Sequence, residues 1–301
     1  MGNACGPARR ASRAMLIVAS AGSASLVTAA LAQDCPDGGK SGYSLFDPTP
    51  SCLMRGFSTD RPGNAASPFT VDAGHVQVET GLWSYGWDHW SPDASTTRST
   101  SLFSTNLKLG ITNWAELDAI LPLYNSQVMR SPGAGGRSAG QGFGDVHLGG
   151  KVNLFGNDAS DDEGLGLLGY VRLPTAASGV GDRRVELNLG APYVVSAPAD
   201  VSVTIEPMLG LLRDMQKPGY HGDYALAVNA SHAVPGVDGL SAQIGVTLDR
   251  QGDHNSAEQD VLAPAFQWLI GKSLQLDGGV FIGLNRGATD WSPYGGISFR
   301  F

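Results

Sequence analysis

The chain has 301 residues, a formal net charge of −8, 41 glycines and only 16% charged residues. An apolar share of 42% excludes intrinsic disorder, glycine without a three-residue period excludes collagen, and the acidic balance excludes nucleic acid as a partner. Five lysines and six glutamates leave little material for a helical bundle, so short strands and turns remain, in water or around a membrane barrel.

Residues 1–32 carry Arg9, Arg10 and Arg13 and no acid, then an uncharged stretch ending Ala30-Leu31-Ala32. A basic head, an apolar middle and a small-residue end predict a cleavable signal peptide. Its removal leaves 17 basic and 28 acidic residues, a net of −11, and takes Cys5 with it. The two remaining cysteines, Cys35 and Cys52, are a candidate disulfide in an oxidising compartment. No later stretch offers about 18 uninterrupted apolar residues, so no membrane-spanning helix is expected.

Residues 33–73 are rich in proline and glycine and read as an irregular segment, either periplasmic or plug-like. From Gly74 to Phe301 a period of two repeats, the signature of strands with one apolar and one polar face. Twelve segments show it: 75–85, 101–111, 114–124, 143–155, 165–173, 185–195, 201–211, 223–233, 240–249, 261–270, 274–284 and 294–301. In the second, Phe103, Thr105, Leu107, Leu109 and Ile111 oppose Ser104, Asn106 and Lys108. The connections alternate between long (86–100, 125–142) and short (Thr112-Asn113, 271–273). Tight turns on one rim and long loops on the other are expected of an outer-membrane barrel. Aromatic residues fall at the segment ends, as with Trp83, Tyr85 and Trp87 at one rim and Trp114, Trp268 and Phe299 at the other. The last segment ends in Phe301, a pattern that the barrel-assembly machinery reads in bacterial outer-membrane proteins. The predicted fold is all-β: a transmembrane antiparallel up-and-down β-barrel of about 12 strands over 74–301.

The stretch FSTDRPGNAASPFTVDAGHVQVET, residues 57–80, resembles the opening of the outer-membrane transporter family of the meta-pathway of phenol degradation. Gly144-Asp145-Val146, Lys151-Val152-Asn153-Leu154 and Leu173-Pro174-Thr175 are similar too. The resemblance implies an outer-membrane barrel of Gram-negative bacteria, associated with aromatic or hydrophobic compounds.

With apolar faces toward lipid, the opposite face carries Glu79, Glu116, Asp118, Asp145, Glu186, Glu206, Asp249 and Asp277. It also carries Lys108, Lys151, Arg172 and Arg300, with His75 and His147 as titratable groups. An Arg or Lys on the lipid face costs about 2–4 kcal/mol at the midplane, so these are candidate lumen-facing residues. They either fill the interior with salt bridges or line a narrow polar channel with some cation preference. Twelve strands enclose more space than the roughly eight that side chains fill, and less than the 16–18 of porins. Asp60 and Arg61 are a candidate plug; a periplasmic tether is the alternative.

Catalysis finds little support. His254-Asn255-Ser256 lacks the strand context of a phospholipase-like barrel, and His147 with Ser104 lacks a third partner. The acidic run Asp158, Asp161, Asp162 and Glu163 reads as a solvated turn rather than a calcium site. No metal or cofactor is expected. Outer-membrane lipid and small solutes are the expected partners. The function expected is a transporter or channel for small hydrophobic or aromatic solutes. A closed structural or adhesive barrel that binds ligands through loops 86–100 and 125–142 is the alternative.

Overall fold

The computed structural model describes residues 35, 39–89, 91, 93–132, 136–158, 161–181, 184–214, 218–252 and 257–301. The expected signal peptide, Trp90 and the His254-Asn255-Ser256 run lie outside the described residues. A short 3-10 turn, Lys40–Gly42, precedes the strands. The strands are β1 (Val76–Asp88), β2 (Thr96–Thr112), β3 (Ala115–Arg130), β4 (Arg137–Gly142), β5 (His147–Phe155), β6 (Glu163–Arg172) and β7 (Glu186–Gly190). They continue as β8 (Tyr193–Ala197), β9 (Val201–Arg213), β10 (Tyr220–Ala233), β11 (Leu240–Gln251), β12 (Gln259–Ile270), β13 (Leu274–Gly283) and β14 (Trp291–Arg300).

Every pairing is antiparallel. β1 pairs with β14 and β9 with β10, so the sheet closes on itself. β4 and β5 both pair with β3, and β7 and β8 both pair with β6 and β9. Each of these couples is one interrupted strand, which makes twelve staves. Residues 143–146 separate β4 from β5, so Asp145 lies outside the ladder rather than within a strand as expected. Pro192 interrupts the sixth stave because proline has no N–H to donate. Its carbonyl still accepts from the Gly166 N–H at 2.9 Å.

The faces are inverted relative to a soluble protein. Leu117 (57% exposed), Ile244 (54%) and Phe266 (54%) point outward, whereas Lys151 (1%), Glu79 (2%) and Lys108 (2%) are buried. Two belts of rings mark the edges of this apolar band. Trp87 and Trp291 lie 6.0 Å apart at the long-loop rim, and Trp114, Phe155 and Trp268 are exposed near the short-turn rim. Amphipathic rings at two levels suit two lipid–water interfaces.

Two expected long loops are largely strand. β1 runs to Asp88 and β2 starts at Thr96, while β3 and β4 form a hairpin over most of 125–142. Residues such as Asn125, Ser126 and Gln127 carry no apolar alternation, so periodicity missed the extension; the backbone ladder carries it instead.

An arginine on the outer face tests the solvent it meets. Ile244→Arg should destabilise the barrel in lipid vesicles by about 2–4 kcal/mol in urea unfolding, whereas Val237→Arg in a short turn should cost about 0–1 kcal/mol. Equal effects would mean that Ile244 does not face hydrocarbon.

Candidate functional site

Residues 55–73 have no regular secondary structure, and their backbone groups bond to the wall of the barrel. The Asp60 and Val71 N–H groups donate to Glu79 on β1 (3.0 Å) and Glu116 on β3 (2.5 Å). The Ala66 N–H donates to Glu206 on β9 (2.6 Å), and Asn153 on β5 donates to the Pro68 carbonyl (3.1 Å). Asn64 donates to Thr247 on β11 (2.8 Å), and Tyr294 on β14 donates to the Pro62 carbonyl (2.6 Å). The segment therefore touches walls on opposite sides of the ring and lies between them. Gly110 on β2 sits directly beneath the Val71 and Asp72 carbonyls, where any Cβ would collide with backbone.

Asp60 and Arg61 form the tip of this segment. The Asp60 carboxylate bonds to both Lys108 and Lys151, the latter at 2.7 Å. Lys108 also meets Glu79 at 3.0 Å and Glu116 at 3.7 Å, and Lys151 meets Glu116 at 3.4 Å. Burial alone would push the Asp60 carboxyl up, but the two ammonium groups outweigh it and hold it below the ordinary carboxylate range. Arg61 grips Asp277 on β13 with two donors, Nη2 at 2.7 Å and Nε at 3.2 Å, and lies 5.8 Å from the Tyr294 ring centre.

A second knot ties the two ends of the segment. Arg55 donates to Asp72 from Nε (3.1 Å) and from its backbone N–H (3.2 Å). Arg300 donates to Asp72 (3.3 Å) and to the Arg55 carbonyl (3.0 Å). Asp72 is fully buried. Outside this neck, residues 39–53 fold over the β2–β3 turn, where Thr49 bonds to Asn113 at 2.9 Å. Cys35 and Cys52 are disulfide-bonded across this cap.

The other candidate residues occupy different places. Asp118 accepts from the Tyr170 hydroxyl (2.7 Å), and Asp145 accepts from the Ala176 N–H (2.9 Å). Arg172 pairs with Glu186, which also accepts from the Arg213 N–H (3.0 Å). His75 bonds through its two ring nitrogens to the Thr49 and Phe301 carbonyls, at the short-turn rim. His147 and Asp249 line a cavity of about 830 Å³.

That cavity lies between the tip of the segment (Asp60, Gly63–Ala66) and the long-loop rim (Arg213, His221, Gln251). Its walls mix charge with apolar side chains of the inner face: Ile120, Leu168, Met208 and Leu212. Sequence reasoning passed over these four, although Ile120 shares the even-numbered face of Glu116 and Asp118. It also passed over Arg55 and Asp72, which have no periodicity to reveal them. Asp158 and Glu163 bond to Lys40 and Tyr193, and among the described residues no group of three or more His, Cys, Asp or Glu can hold a metal.

A family model described as "Putative MetA-pathway of phenol degradation" matches residues 59–301, a span that begins at the tip of the inner segment. The fold is similar to the COG4313 outer membrane channel from Pseudomonas putida F1, with a TM-score of 0.55 and 15% identity over 80% of this chain and 99% of that one. It is also similar to the translocator domain of the autotransporter NalP from Neisseria meningitidis, with a TM-score of 0.48 and 14% identity over 75% and 88% of the two chains. No curated protein matches the sequence.

The tip contacts can be tested directly. Asp60→Asn leaves two buried lysines short of one carboxylate, and breaking such a pair costs about 3–5 kcal/mol. Amide exchange should speed up over residues 57–67 while unboiled barrel keeps its fast gel migration. Unchanged exchange would mean that the ion pairs do not hold the segment.

Proposed function

Because the chain belongs to the MetA-pathway of phenol degradation family, we propose that it is an outer-membrane channel for small solutes with an apolar body, closed at rest by its N-terminal segment. The observation that carries this reading is the 830 Å³ cavity whose lining runs from the long-loop rim to Asp60 and Gly63–Ala66 of the inner segment. A barrel serving only as a scaffold has no need for a solute-sized chamber above a polar segment held by its tip. In this reading, the charged inner-wall residues face the lumen, Asp60 and Arg61 form the plug, and the short-turn rim faces the periplasm.

The mixed lining fits hydrophobic or aromatic solutes better than sugars. Ile120, Leu168, Met208 and Leu212 offer apolar contact, and five carboxylates against two arginines around them offer polar contact with an acidic balance. The protein acts by passage rather than catalysis. A signal peptide at 1–32 would export the chain, and Phe301, 72% exposed and edge-on to Phe299 at 5.2 Å, would present the assembly signal.

Planar-bilayer recording tests the channel. The full chain should show small, infrequent openings, and Asp60→Asn should raise the open fraction by at least about tenfold, the expected scale for losing a buried pair. Liposome flux should favour a single-ring aromatic over a sugar of similar size. Failure of both the native chain and Asp60→Asn to conduct or to pass the aromatic would leave the closed-barrel reading.

A further inference from the structure

The outer face of the long-loop rim carries a basic patch that the transport reading does not use. Register places it without ambiguity, because directly paired residues in an antiparallel sheet share a face. Trp291 pairs with Trp87, Trp87 with Arg98, Thr96 with Arg130, and Arg130 with Arg137. Arg98 and Thr96 are two residues apart on β2, so all six side chains lie on one face. Trp87 and Trp291 are exposed members of the upper aromatic belt, which makes this the lipid-side face.

Arg98 lies over the Trp87 ring, 5.5 Å from its centre. Arg130 and Arg137 come next outward, about 7 Å beyond the level of Arg98 at roughly 3.4 Å per residue. The three arginines are exposed. Among the described residues none of them has a carboxylate within ion-pair distance. Nearby acids are engaged locally: Asp93 accepts from Ser91 and Ser95, and Asp290 accepts from the His89 N–H. Like charges directly opposite in a sheet repel, so the Arg130–Arg137 pair is unfavourable without an anion. An acidic protein that concentrates unpaired arginines just above a lipid belt has placed them at headgroup level.

We propose that Arg98, Arg130 and Arg137 bind the phosphate of a lipid headgroup in the outer leaflet, with Trp87 and Trp291 against its acyl region. Continuity with the aromatic belt selects a lipid over a soluble anion. The arginine forks match phosphate oxygens, and the neutralised pair would hold the β3–β4 hairpin upright.

Native mass spectrometry of the folded full chain tests this, using a bis-phosphorylated lipid A, its dephosphorylated counterpart and inorganic phosphate as probes. Phosphorylated lipid should bind, and R98Q/R130Q/R137Q should weaken it by at least about tenfold, since each basic group near an anionic surface contributes appreciably. Salt at about 0.5 M should weaken it too. Arg137→Gln alone, which removes the like-charge pair and leaves the barrel wall intact, should weaken binding by about threefold. Equal binding of the dephosphorylated lipid, or of the phosphorylated lipid to both variants, would overturn the proposal. Full competition by inorganic phosphate would assign the arginines to a free anion and overturn the lipid assignment.

Discussion

A charged side chain on the inner wall beneath the cavity has neither hydrocarbon nor bulk water to face, so it must find a partner inside. Glu79, Lys108, Glu116 and Lys151 are each 3% exposed or less, on neighbouring staves of one half of the ring. Two lysines and two glutamates would balance alone, but the wall also holds Asp118. The inner segment adds Asp60, whose carboxylate bonds to both lysines, and donates backbone N–H groups to Glu79, Glu116 and Glu206. The segment is thus the solvent of the inner wall, and the wall is the fold of the segment. Residues 55–73 make no regular hydrogen bonds of their own, so the barrel satisfies their backbone.

The distribution of partners divides the interior unevenly. Asp60 is held by β1, β2 and β5 and Arg61 by β13 and β14, so these two residues sit to one side, while Asn64 and Ala66 reach across to β11 and β9. The space left over lies toward β6–β11, and there the cavity opens to the long-loop rim. Inner-face apolar residues gather along that open side. A solute can meet Leu168 and Met208 without displacing any ion pair of the tip until it reaches Asp60.

The barrel was legible in the sequence because lipid enforces strict alternation. Leu107, Leu109 and Ile111 against Asn106 and Lys108 admit one facing, and the long–short parity of the connections follows the rims observed. Where the chain leaves the hydrocarbon, that enforcement ends. Asn125–Arg130 and β4 pair through the backbone alone, so the hairpin read as loop. The interior was half legible. Charges on the polar face identified Lys108, Glu116 and Lys151, but which of them meet depends on ring closure and on residues 55–73. Arg55 and Asp72 lie 17 residues apart in a segment without a period, and only the folded chain brings them together under Arg300.

The two knots differ in what they can release. The neck joins Arg55 and Asp72 to Arg300 of the closing strand β14, and to the Asn113 carbonyl at 2.8 Å. All of these groups are buried, and water has no ready substitute for them. The tip is different, because Asp60 lines the cavity and its side chain retains 17% exposure. Water or a polar solute group arriving from the long-loop rim can replace the Asp60 oxygens on Lys151 as they depart. Exchange of one partner for another avoids the bare buried charge that makes simple rupture costly. On the proposed channel reading, the neck stays fixed while the tip exchanges partners, so that opening does not require the segment to leave the barrel.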